Sequence, residues 1–122
     1  MKEAMKEMDA LISEAKVKVN EMPSAEQIVG VKTAKGNVYF FANNVLSKGA
    51  EDEIDFWKEL CDKSDTEIKY VVCMWNNHGI EIPSMSFRKM ILESVPKNAE
   101  TILILQGKNG IVGKTLGACM PA

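Results

Sequence analysis

A chain of 122 residues has about the modal length of one domain and can bury a core without disulfides or structural metals. Its 46% apolar and 26% charged residues exclude the disordered, fibrous and membrane-spanning classes. A net charge of −2 without a basic patch excludes a nucleic-acid surface, which needs clustered Lys and Arg to displace counterions.

The opening stretch "MKEAMKEMDALISEAK" is interrupted by charge every few residues and so lacks the apolar core of a signal peptide. Within it, Met1, Met5, Met8, Ile12, Ala15 and Val19 recur at intervals of three and four, which predicts a helix with one apolar face that ends before Pro23. "IVGVKT" and "KGNVYFFANN" then read as two strands around a tight Lys35-Gly36-Asn37 turn, since glycine supplies positive φ at low cost. The longest apolar runs, "VYFFA" and "ILIL", are far below the ~18 residues of a membrane span. The expectation is a cytoplasmic protein with no membrane partner.

Ser47 is placed to cap a second helix over about 49–62, with Glu51, Asp52 and Glu53 in its first turn, where carboxylates favour the positive end of the dipole. Ile54, Trp57, Leu60 and Cys61 form its predicted buried face. "IKYVVCMW" is a continuous apolar run, which predicts a central strand covered on both sides. After the loop "NNHGIEIP", Ser84 caps a third helix over roughly 85–95, which Pro96 ends. "ETILILQG" is a further buried strand, "GIVGK" a short edge strand and "TLGACMPA" a terminal turn. The order α-β-β-α-β-α-β-(β) implies a three-layer α/β/α sandwich with a mixed sheet of about five strands. No repeat, linker or low-complexity stretch interrupts it, so residues 1–122 read as one domain.

Several residues invite sharper readings than they support. "GKNGIVGKT" lacks the first glycine of a phosphate loop, because Lys108 stands there, and it reads as a turn between strands. His78, the only histidine, has no Cys, Asp or second His at ligand spacing and reads as a solvent-facing loop residue. The eight methionines fall mostly at helical core spacing, where they fill gaps. Cys61, Cys73 and Cys119 are odd in number and scattered, which suits buried thiols in a reducing compartment.

Taken together, five short motifs from about Pro23 to Pro121 resemble the small single-domain cytidine deaminases. That family's P-Y-S-x-F-x-V-G appears as "PSAEQIVG", keeping Pro23, Val29 and Gly30. Its D-G-x-x-Y-x-G-x-N is matched by Gly36, Tyr39 and Asn43. Its C-A-E appears as Gly49-Ala50-Glu51, its P-C-x-x-C-R as Pro83-Ser84-Met85-Ser86-Phe87-Arg88, and its T-L-G-x-x-x-P as Thr115-Leu116-Gly117 to Pro121. The departures have a pattern. The three positions that bind zinc in the family carry Gly49, Ser84 and Phe87, the base-stacking aromatic is Gln27, and the acidic residue two after the asparagine is Val45.

Hydrolytic deamination needs zinc to lower the pKa of a bound water and a glutamate to shuttle its protons. Glu51 matches that glutamate, but the metal it would serve has no ligands. The resemblance therefore implies a cytidine deaminase-like protein with no zinc, no other cofactor and no hydrolytic deaminase activity. A pocket lined by Asn43, Glu51, Ser84 and Phe87 would bind a small nucleoside-like ligand or be filled, with Ser84 capping its helix and Phe87 packing. The alternative is an active enzyme with altered, metal-independent chemistry. The family's habit of assembly implies a homodimer or homotetramer, for which Phe56 and Trp75, at the margins of their elements, are the candidate interface aromatics.

Overall fold

The periodic first segment forms α1 (Lys2–Glu21), which buries Met8, Leu11, Ile12, Ala15 and Val19. The computed structural model describes residues 2–121, so Met1 lies outside the described residues, and Met5 is exposed. The predicted hairpin follows as β1 (Gln27–Thr33) and β2 (Val38–Asn43), paired antiparallel. A short α2 (Val45–Lys48) comes next, then α3 (Glu51–Asp62) and β3 (Ile68–Trp75). The remainder is β4 (Ile80–Glu81), α4 (Met85–Ser94), a 3-10 turn at Pro96–Glu100, β5 (Ile102–Gly107), β6 (Gly110–Thr115) and a last 3-10 turn at Gly117–Cys119.

The strands form one mixed sheet in the order β2-β1-β3-β5-β6, with the two-residue β4 paired to the end of β3 as a sixth member. β3 and β5 are parallel and the other pairs are antiparallel. A parallel pair needs a crossover, and α4 supplies it. β3 sits centrally, and its pleat explains the unbroken apolar run: Tyr70, Val72 and Met74 join α1 in one core cluster, while Val71 and Cys73 join α3 and α4 in the other. Three layers result. At the edge of the sheet, Gly30 lets the Phe40 ring lie across β1, since a Cβ there would come within 2.6 Å of it.

The second helix differs from the sequence reading in start and phase. Gly49 adopts φ 63° and separates α2 from α3, so Ser47 is not a cap of α3; its hydroxyl donates to Glu26 Oε2 at 2.6 Å. The buried face of α3 is Glu53, Phe56, Trp57 and Leu60, whereas Ile54 and Cys61 are exposed. Phe56, expected at a margin, stacks on Phe41 with ring centroids 4.3 Å apart. Trp75 is half-buried, and its indole N–H donates to Glu81. Of the three cysteines only Cys73 is buried.

The far end of the hairpin is fixed by Asp65, which is 3% exposed. Its Oδ2 accepts from Tyr39 Oη (2.8 Å), Asn37 Nδ2 (2.9 Å) and Thr33 Oγ1 (3.1 Å), tying the β1–β2 turn to the chain just after α3.

Candidate functional site

Two helices begin at the same place. α3 brings Glu53 in its first turn, and α4 brings Ser84 as its N-cap and Ser86 in its first turn. β2 ends beside them at Asn43, paired in register with Gln27 of β1. Helix starts carry unpaired N–H groups and the positive end of the dipole, so a carboxylate between two of them is electrostatically favoured.

That carboxylate is Glu53, which is 1% exposed. Its Oε2 accepts from Asn43 Nδ2 at 2.8 Å and from Ser84 Oγ at 2.7 Å, and its Oε1 accepts from Ser86 Oγ at 2.7 Å. The two serine oxygens are 2.9 Å apart. Asn43 Nδ2 also donates to Gln27 Oε1 at 3.0 Å, while Asn43 Oδ1 is a buried acceptor with no hydrogen-bond partner among the described residues. Among the described residues no Lys, Arg or His forms an ion pair with Glu53. Side-chain donors and helix dipoles hold the buried charge instead.

Ser84 acts as the sequence suggests, accepting from the Phe87 N–H at 3.1 Å. Phe87 is 1% exposed and faces Phe41 with centroids 6.0 Å apart. Arg88 fastens the helix start to the chain end by donating to Pro83 O at 2.9 Å and Cys119 O at 2.6 Å. Beneath the cluster on β3, burial pushes the Cys73 thiol up to about 12, with the Glu81 and Glu53 carboxylates adding to the shift.

Of the expected site residues, Asn43, Ser84 and Phe87 are brought together and Glu51 is not. Glu51 is exposed on the first turn of α3, and Glu53 holds the place expected for it. The cause is the helix start: α3 begins at Glu51, two residues later than the sequence reading has it, so its third residue is the one turned inward. Gln27, Glu53 and Ser86 were missed. The spacing 53, 56, 57, 60 contains the signal, since it is one helical stripe once a glutamate is admitted to it.

These residues do not fit a zinc ion. A tetrahedral site needs three side-chain ligands. Phe87 presents only hydrocarbon, Ser84 Oγ is committed to the Phe87 N–H and to Glu53, and among the described residues no group of three or more His, Cys, Asp or Glu side chains is arranged to hold a metal. The arrangement does two other things. It packs a polar knot into the sheet's end, and it holds the hydroxyl of Ser86, an exposed residue, within proton-transfer reach of a carboxylate.

Two solved structures share this architecture along nearly the whole chain. Cytidine deaminase from Mycobacterium leprae is 16% identical, with 93% of this chain and 97% of that chain covered and a TM-score of 0.64. A glutamate-to-glutamine mutant of cytidine deaminase from Mycobacterium tuberculosis is also 16% identical, with 93% of each chain covered and a TM-score of 0.62. No protein-family model and no curated protein matches the sequence significantly. The fold is cytidine deaminase-like, an α/β structure with a mixed sheet. No helix among the described residues is long and apolar enough to cross a membrane.

Proposed function

We propose that this is a zinc-free cytidine deaminase-like protein without hydrolytic deaminase activity, acting in assembly or as a binder of a small nucleoside-like ligand. The carrying observation is the pair formed by Phe87, buried as hydrocarbon, and Glu53, whose two oxygens are engaged by Asn43, Ser84 and Ser86. With Glu53 as the third residue of α3, the family's C-A-E falls on Glu51-Asp52-Glu53 rather than on Gly49-Ala50-Glu51. The metal-binding positions then carry Glu51, Ser84 and Phe87, still short of three zinc ligands. Without a metal to acidify a bound water, a glutamate has no ready source of the hydroxide that hydrolysis needs. In this reading the protein is a cytoplasmic homodimer or homotetramer with no nucleic-acid partner, and residues 1–122 act as one unit.

Ligand binding draws its support from the orphaned Asn43 Oδ1, an acceptor that a bound donor would satisfy. The opposing observation is burial, since Asn43 and Glu53 are each 1% exposed, which favours the assembly role. Metal-independent chemistry has one observation behind it, the 2.7 Å contact from Ser86 Oγ to Glu53 Oε1.

Ammonia release from cytidine and deoxycytidine separates these readings. The proposal expects none above background, and no change in Glu53→Gln. Release that Glu53→Gln abolishes would establish an active deaminase.

A further inference from the structure

The two edges of the sheet differ in kind. β6 reads "GIVGKT", with Lys114 and two glycines, the composition that discourages a strand edge from pairing with another chain. β2 reads "VYFFAN": it has no charge, glycine or proline, and three aromatic residues in a row. Among the described residues β2 pairs only with β1, so alternate N–H and C=O groups along its outer side have no strand of them to meet. Such an edge templates the addition of another strand.

A groove of about 480 Å³ runs along this edge, between Glu14 and Lys18 of α1, with Met22 just beyond it, and Phe56 and Glu59 of α3. Three of the molecule's exposed large apolar residues lie here or on the adjoining helix face: Val17 at 54%, Met22 at 42% and Val38 at 37%. We propose that the β2 edge is the docking surface for a second copy of this chain, β2 pairing antiparallel with β2 about a twofold axis perpendicular to the sheet.

The charges along the groove select this occupant. α1 presents Glu14 and Lys18 one turn apart. A perpendicular twofold keeps α1 beside α1 and reverses its direction, which sets each Glu14 against the Lys18 of the other copy. On the other wall stands Glu59 of α3, with Lys63, the residue that caps the end of that helix, 3.0 Å from it. The α1 wall is thereby self-complementary, as an isologous interface requires, and the Glu59–Lys63 pair beside the α3 wall adds no net charge against it. This inference rests on the assembly part of the function proposed above and adds the surface by which assembly occurs.

Light scattering on the full chain tests it. At micromolar concentration the native protein should show at least twice the 13.5 kDa chain mass. Lys18→Glu and Glu14→Lys should each halve the native mass, with circular dichroism unchanged, because each sets like charges face to face. Mixing the two variants should restore it. Val38→Lys, which puts a charge on the strand itself, should also halve it. A mass unaffected by these substitutions would overturn the edge proposal while leaving assembly through another surface. Variants that stay halved when mixed would overturn the charge register and the proposal with it. A native protein of monomer mass would end both the proposal and the assembly role.

Discussion

Ser84 Oγ donates to Glu53 Oε2 at 2.7 Å across 31 positions of sequence, joining the starts of α3 and α4. The same oxygen atom of Ser84 accepts from the Phe87 N–H, so one hydroxyl caps a helix and satisfies a buried charge. Replacing Glu53 by Ala takes away the acceptor of the Ser84 hydroxyl and of one Asn43 N–H, while Asn43 Nδ2 keeps its bond to Gln27 Oε1. We expect Glu53→Ala to cost about 1–3 kcal/mol, the penalty of stranding buried donors. Glu51→Ala should lose less than about 1 kcal/mol, the worth of an exposed first-turn carboxylate. Urea unfolding of the two variants measures the difference, and equal losses would contradict the placement of Glu53.

Phe87 is among the largest fully buried side chains. Its truncation opens a cavity at the junction of α4, β2 and α3, where Phe41 and Phe56 stack. Phe87→Ala should therefore destabilise by about 3–5 kcal/mol. An unchanged melting temperature would show that the ring does not support the core.

Burial pushes the Asp65 carboxyl up, but donors from Asn37, Tyr39 and Thr33 outweigh it and hold the group below its ordinary value. A carboxyl lowered by folding adds stability that is fully present above its unfolded value of about 3.9. That stability is lost as the pH falls through the lowered folded value. The native protein should accordingly lose stability on acidification below about pH 4, and Asp65→Asn should be weaker at neutral pH with a flatter acid limb. Acid limbs of equal slope would remove Asp65 from the account.

The fold was largely legible because its signals are local. The three-and-four spacing of α1, the doubly covered run of β3 and the Lys35-Gly36-Asn37 turn each need only neighbouring residues. The site was half legible. Asn43, Ser84 and Phe87 fall in short motifs, but a buried Glu53 is visible only through donors 10, 31 and 33 positions away. A glutamate in a first helical turn otherwise reads as a surface dipole partner. That choice also set the phase of α3, exchanging Phe56 for Ile54 in the expected core. The two-residue β4 is too short to announce itself, since its pairing depends on where the loop after β3 returns.

Cys73 and Cys61 provide a chemical check on the packing. Cys73 is buried with its thiol pushed up to about 12, so almost no thiolate forms near neutral pH, while Cys61 is exposed. Iodoacetamide should modify Cys61 in the folded protein and Cys73 only after unfolding. Rapid native labelling of Cys73 would mean that the sheet's end opens.

The proposed function requires that Ser84 and Phe87 leave no metal position beside Glu53. Elemental analysis of protein purified without chelator, after growth in zinc-supplemented medium, tests this most directly. The protein should contain no stoichiometric zinc, and a content near one zinc per chain would show that a metal site exists after all.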